Sequence, residues 1–350
     1  LNIDKISEQV KYNCNISDAQ YWGYYSICGM LMRLRELYRH EHSFTLWQSI
    51  PKEEISPWIA ERENLWEELG NTSFKDIEIL GRCFNPFNSD EINSILKDQG
   101  YVYSSGYGMF HKPMFFLAHL KSENTRGDYN IFYAEQEICH DLSTSAAMLQ
   151  GQDIYIRLEP LTILLWHKSE EAACGTKKIL RQAFDHYGIN PENFSYEDRY
   201  QKLKNLSSDV AEILVSHELG EARETQKNPQ WLDIIENVSD RFTEFYLRAI
   251  KDLLADTSEN GPLQYIYTQK DRGLLLFYLA FIDGIRKQLF PEILDAFNAF
   301  SSNEDWTVIE GARRQGYEKM TSFKDKIIEA WNKENSLADI TTYLKKVFQN

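Results

Sequence analysis

From Glu159 to the C-terminus, apolar residues recur at the three- and four-residue intervals of helix faces, and Gly188, Pro191, Pro229, Gly261-Pro262 and Pro291 cut the stretches that carry them. This patterning predicts helices over 160–187, 208–225, 231–255, 272–289, 304–332 and 337–348. So many helices, with so few strands between them, exclude a doubly wound α/β sheet. The longest uncharged apolar run, Gly273 to Ile282, is about half the length that a membrane-spanning helix needs, so it reads as a buried core helix. No repeat of fixed period and no low-complexity segment interrupts the pattern.

The first hundred residues also read as helical. Ser17-x-x-Gln20 has capping-box spacing, and Ala19, Gly23, Ile27, Met30, Leu34 and Leu37 then predict a long helix reaching about Glu41. A second stripe on that helix, Tyr24, Cys28, Leu31, Arg35 and Tyr38, suggests that both of its faces are covered. Ser56-Pro57 opens a further amphipathic helix that stops at Gly70, and Ser89 to Asp98 forms a short one before Gly100. The texture then changes. Tyr101–Tyr103, Met114–Leu120, Tyr129–Tyr133 and Ile154–Arg157 are short and rich in aromatic and β-branched residues, as strands are. The expected architecture is mainly α: a helical bundle with a small antiparallel β-rich insertion, α+β overall. Its parts are an N-terminal helical region (1–100), a β-rich segment (101–158) and a C-terminal helical bundle (159–350) that packs with 1–100 as one unit.

Charge and cysteine usage narrow the function. Lys plus Arg number 38 against 53 Asp plus Glu, a formal net charge of −15, and there is no run of basic residues interleaved with aromatics. Nucleic acid and anionic membrane surfaces are therefore poor partners, and a small anionic ligand or a protein is expected instead. Cys14, Cys28, Cys83, Cys139 and Cys174 are widely spaced and include no C-x-x-C pair, so they read as reduced thiols. Residues 1–15 carry charges throughout, with no apolar core of signal-peptide length, and a cytoplasmic location follows as the expectation.

The most chemically suggestive stretch is His217-Glu218-Leu219-Gly220-Glu221. On a helix, His217, Glu221 and Glu224 share one face, and Glu218 lies about a hundred degrees around. The pattern departs from the zinc-protease H-E-x-x-H because its second histidine is a glutamate. One imidazole with carboxylates suits iron or manganese better than zinc. On this reading His217 and Glu221 are metal ligands and Glu218 or Glu224 carries protons. Arg35, inside the apolar stripe of the first helix, steers an anionic substrate, with Arg33 on an adjacent face as the alternative. At least one ligand is missing, and Glu244, Asp252 and Asp283 are nominated from neighbouring helices. The structural alternative makes His217 a hydrogen-bonded core residue, Glu221 a partner for a cation, and Arg35 one half of an architectural ion pair.

Other stretches carry weaker signals. Ser104-Ser105-Gly106-Tyr107-Gly108 is followed by a strand, where a phosphate loop would lead into a helix, so it reads as a hairpin turn. Tyr107, His111 and Lys112 could still line a binding mouth. Cys139-His140-Asp141 has the side chains of a cysteine hydrolase, but adjacent residues point in different directions.

The segment Asn15-Ile16-Ser17-Asp18-Ala19-Gln20-Tyr21, Arg33-Leu34-Arg35-Glu36-Leu37-Tyr38, Asn85-Pro86-Phe87, Lys112-Pro113-Met114-Phe115-Phe116 and the H-E-L-G-E stretch together resemble an uncharacterised bacterial protein family over most of the chain. The resemblance implies a stand-alone bacterial cytoplasmic protein. It supplies no catalytic residue. A metal-dependent enzyme, hydrolase or oxidase, and a non-catalytic helical binding or scaffold protein both remain open.

Overall fold

The computed structural model describes residues 1–108, 111–174, 177–190, 193–238, 240–282, 284–334 and 337–348. The chain is mainly helical with a small β region, and it divides into two compact units, Leu1–Trp166 and His167–Asn350.

The first unit holds the helices α1 (Ile3–Tyr21), α2 (Ile27–Glu41), α3 (Lys52–Leu69) and α4 (Ser89–Leu96). It also holds a hairpin of β1 (Ile77–Ile79) and β2 (Arg82–Phe84), and the strands β3 (Tyr101–Tyr107), β4 (Pro113–Arg126), β5 (Tyr129–His140), β6 (Ala147–Gln150) and β7 (Asp153–Arg157). The five-stranded sheet has the order β3-β4-β5-β7-β6 and is antiparallel except between β5 and β7. Strand alternation splits its side chains into two sets. Tyr103, Phe115, Leu117 and Cys139 pack with Ile6, Val10 and Cys14 of α1 and Ile92 and Leu96 of α4. Val102, Met114, Phe116, Ala118, Phe132 and Tyr155 form a second cluster. A third joins Ile16 and Ala19 to Met30, Leu34 and Leu37 of α2 and Trp66 and Leu69 of α3.

The N-terminal helix differs from the expectation. The single helix expected from Ser17 to Glu41 is two, separated by a 3-10 turn at Trp22–Tyr24, and Ser26 rather than Ser17 caps the second. Ser17 lies inside α1, where its hydroxyl donates to the Pro113 carbonyl. α1 begins much earlier, at Ile3, with Asn2 as its cap. Its buried face includes Asn13 and Ser17, and those polar members blur the apolar period. Both are satisfied by backbone, since Asn13 Nδ2 donates to the Lys75 carbonyl at 2.8 Å. The Ser104–Gly108 stretch, expected as a hairpin turn, is strand through Tyr107, and the Gly108 N–H donates to the Lys112 carbonyl.

α5 (Leu158–Ala173) runs across the division between the units. The second unit is helical throughout its described residues: α6 (Lys178–His186), α7 (Tyr196–Lys227), α8 (Gln230–Asn237), α9 (Arg241–Thr257), α10 (Pro262–Gln269), α11 (Arg272–Phe281), α12 (Gly284–Leu289), α13 (Glu292–Asn303), α14 (Trp306–Glu334) and α15 (Leu337–Phe348). Side-chain caps set the starts of several: Ser195 for α7, Asp240 for α9 and Asp271 for α11. Asp240 accounts for the split of the expected 231–255 helix, because its carboxylate takes both the N–H and the hydroxyl of Thr243. α9 packs against α7, α12 and α14. Among the described residues no helix is long and apolar enough to cross a membrane.

Candidate functional site

The H-E-L-G-E stretch lies in the C-terminal half of α7, and α9 crosses it at Gly220. A Cβ placed on Gly220 would stand 2.5 Å from the Ala255 carbonyl oxygen, so only glycine lets the two backbones come this close. The close crossing sets His217 and Glu221, one turn apart on α7, opposite Lys251, Asp252 and Asp256 of α9.

His217 Nδ1 is 2.7 Å from Asp256 Oδ1. A carboxylate can only accept, so Nδ1 carries the proton and Nε2 is the nitrogen left for chemistry. The Tyr278 hydroxyl of α11 donates to the other oxygen of Asp256 at 3.1 Å and fixes that carboxylate in turn. Nε2 looks toward Glu221, at 3.8 Å from Oε2, while Glu221 Oε1 accepts from Lys251 Nζ at 2.6 Å. Asp252 completes the group. Ligand atoms of His217, Glu221 and Asp252 all lie within 4.8 Å of one another. At the end of α9, Arg313 donates to the Thr257 carbonyl and satisfies an acceptor of the helix's last turn.

The electrostatics are those of crowded carboxylates. Burial works against a charge on His217, but Asp256 outweighs it, and the imidazole is pushed up to about 10. A proton on Nε2 therefore balances Asp256 and Glu221, and any metal taking that nitrogen has to displace the proton. Burial and Glu221 push Glu218 up to about 7, partly offset by His217. Burial raises Asp252. Burial would raise Glu221 as well, but Lys251 and His217 hold it below the usual carboxylate range.

Of the residues expected from the sequence, the structure brings together His217, Glu221, Glu218 and the nominated ligand Asp252. Glu224 is placed elsewhere. Its carboxylate takes Lys227 Nζ at 2.7 Å and the Tyr317 hydroxyl at 3.0 Å, a tie between α7 and α14. Glu244 pairs with Arg248 at 2.8 Å, and Asp283 lies outside the described residues. Arg35, in the first unit, pairs with its neighbour Glu36 at 2.8 Å, and Arg33 stacks over Tyr25. Tyr107 is exposed and stacks on Phe87, and His111 is exposed with a positive φ of 54°. Lys112 is buried, 3.1 Å from both Asp18 and Asp141. Cys139 is buried, with burial pushing its thiol up to about 12, so it is no thiolate nucleophile at neutral pH.

Asp256, Lys251, Tyr278 and Gly220 were not singled out by sequence. The signal for the first two was the Lys251-Asp252…Asp256 spacing, a one-turn carboxylate pair on a helix, at the end of the expected 231–255 segment. A groove of about 480 Å³ runs along α14, lined by Tyr317, Glu318, Thr321, Ser322, Asp325, Lys326 and Glu329.

Residues 5–157 match the N-terminal domain, and residues 162–349 the C-terminal domain, of the family of unknown function DUF6866. The chain belongs to the DUF6866 family. The two DUF6866 matches meet at the start of α5, and the His217 cluster lies wholly within the C-terminal one. No match to the chain was found among curated proteins or among solved structures.

Proposed function

We propose that this chain is a metal-dependent enzyme whose centre lies on α7 and α9, with His217 Nε2, Glu221 and Asp252 as ligands and Glu218 as the proton carrier. One observation carries the reading: one ligand atom from each of His217, Glu221 and Asp252 lies within 4.8 Å of the others, and Nδ1 of His217 is held by Asp256. That carboxylate–imidazole pair is the arrangement that orients a ligating histidine and raises its basicity. Lys251 holds Glu221 in the same way. One nitrogen and two carboxylate oxygens make a hard donor set, which favours iron or manganese over zinc. A dication bound there would supply Lewis acidity, and Glu218, with no hydrogen bond or ion pair among the described residues, would accept or return a proton beside it. The five cysteines are free thiols, and the net charge is −15, which supports a cytoplasmic setting and argues against nucleic acid as partner.

The test is elemental analysis of the full chain purified without chelators, repeated on His217→Ala. The native chain is expected to carry stoichiometric metal and the variant to lose it. Metal in neither protein overturns the proposal.

A non-catalytic binding role is supported by one observation in the first unit. Trp22, Tyr24, Ile27, Leu31 and Met32 are exposed around the start of α2, Ile27 by 80%. Adjacent apolar residues left in water mark contact surfaces. If this role holds, a pull-down with the native chain retains a partner that Ile27→Lys/Leu31→Glu does not; identical retention by both sinks it.

A further inference from the structure

The apolar stripe of α2 runs on past the part that is buried, and this inference rests on the contact-surface reading of that exposed end, whose partner it names. Ile27, Leu31, Leu34 and Tyr38 recur at intervals of four, three and four, as the members of one helix face do. The second half of the stripe is buried, Leu34 at 2% and Tyr38 at 3% exposure, while the first half is in water, Leu31 at 51% and Ile27 at 80%. Cys28 and Met32, also exposed, widen this end of the helix to an arc of about 140°. Trp22 and Tyr24 add exposed aromatic surface in the turn before it.

Trp22, Tyr24, Ile27, Leu31 and Met32 together leave on the order of 600 Å² of side chain in water, the upper end for a patch on a monomer and near the ~800 Å² that each partner brings to a stable interface. Charge narrows what covers it. The chain carries a net charge of −15, so a partner that read this excess would bring basic residues, yet Ala19 to Arg35 contains no carboxylate for them to meet. An acidic partner finds little either, because Arg35 is paired with Glu36 at 2.8 Å and Arg33 stacks over Tyr25. The surface therefore fits a partner as apolar and as free of carboxylates as itself.

We propose that this surface joins two copies of the chain, with α2 packed antiparallel on α2 about a two-fold axis beside Cys28 and Leu31. That pairing sets Cys28 against Leu31, and Ile27 against Met32, of the second copy, apolar on apolar at each place. It is isologous, so it closes at two copies and does not propagate. It also lets two strongly acidic chains meet without setting carboxylate against carboxylate.

The experiment is sedimentation velocity of the full chain over a range of micromolar concentrations, repeated on Ile27→Lys/Leu31→Glu once circular dichroism shows its helix content unchanged. The native chain is expected as a dimer, and the variant should dimerise at least about tenfold more weakly. A second measurement needs no substitution in the contact and so does not depend on how that variant folds. With the other exposed thiols removed by Cys83→Ser and Cys174→Ser, a short bismaleimide should join Cys28 of one copy to Cys28 of the other. A native chain that stays monomeric, a variant that dimerises as tightly as the native chain, or a dimer that the reagent does not join at Cys28 overturns the proposal. The contact-surface reading is judged separately by the pull-down: a monomeric native chain whose captured partner is lost in Ile27→Lys/Leu31→Glu keeps that reading and overturns only the second copy.

Discussion

The residue that sets the geometry of the His217 cluster is Asp256, because it holds Nδ1 of His217 and leaves Nε2 toward Glu221. Asp256→Asn keeps the shape of the side chain but replaces a charged acceptor with an amide, so metal affinity should fall by about 10–100-fold, as for other outer-shell partners. Competition with a chelating dye would measure it, and unchanged affinity would show that the imidazole is held by other means. The first unit has its own buried ion cluster. Lys112 Nζ lies between Asp18 and Asp141, whose carboxylates also accept the N–H groups of Leu142, Phe115 and Ser143. Every group in this cluster is satisfied, and it ties α1 to the start of β4 and the end of β5. Lys112→Met would leave two buried aspartates unpaired at a cost of about 3–5 kcal/mol. Urea unfolding would show the loss, and adding Asp18→Asn and Asp141→Asn should recover part of it. His140 gives a pH signature. Burial holds it below its usual range against the pull of Glu137, with His40 and Arg157 adding to the depression. The folded histidine therefore stays neutral at pH values where the unfolded one takes a proton. Its contribution is complete above the ordinary histidine value, about 6.5, and is lost as pH falls from there through the lowered folded value. The drop in urea midpoint between pH 7.5 and 5.5 should shrink in His140→Asn; an equal drop in both proteins would refute the assignment.

At the scale of elements, helix contacts turn on whether a glycine is crowded. Gly220 and Gly311 both sit inside helices, yet a Cβ at Gly220 would meet the Ala255 carbonyl at 2.5 Å while one at Gly311 would meet nothing within 4 Å. Gly220→Ala should therefore force α7 and α9 apart, costing about 1–3 kcal/mol and weakening metal binding together with stability. Gly311→Ala should stabilise by up to about 1 kcal/mol through helix propensity and a less flexible unfolded chain. Opposite shifts in thermal midpoint are the expected result, and shifts of the same sign would discount the close crossing. The same contrast explains what was legible beforehand. The glycine in H-E-L-G-E reads in sequence as a weak point in a helix, and its role depends on a carbonyl 35 residues away. The uncharged run Gly273 to Ile282, most of it in α11, was legible as a buried helix because it is apolar on every side, and the structure buries Gly273 through Leu279. α1 was not, since its core face includes Asn13 and Ser17, whose partners come from Lys75 and Pro113. The break between α8 and α9 was missed because Asp240 and Thr243 have the look of any polar pair until the cap is seen. His217, Glu218 and Glu221 could be named together because they are adjacent in sequence. Asp256 and Tyr278 could not, because they reach the site from other helices.

For the molecule as a whole, the two family matches and the two compact units divide the chain at nearly the same place, with the sheet in the first unit and the His217 cluster in the second. Binding energy is delivered to the elements that hold the ligand. A metal present at a hundred times its dissociation constant stabilises the state that binds it by about 2.7 kcal/mol. The proposed ligands come from α7 and α9, which also carry Asp256 and Lys251, so the amides of 196–227 and 241–257 should gain protection when metal is added. The sheet amides of 101–157 belong to a separate set of hydrophobic clusters and should exchange at their former rate. Hydrogen exchange followed by mass spectrometry on the full chain, with and without Mn²⁺, reads both regions in one experiment. Equal slowing in both would mean that the two units open together as one cooperative body. No slowing in α7 and α9 while metal is bound would place the metal somewhere other than on His217, Glu221 and Asp252.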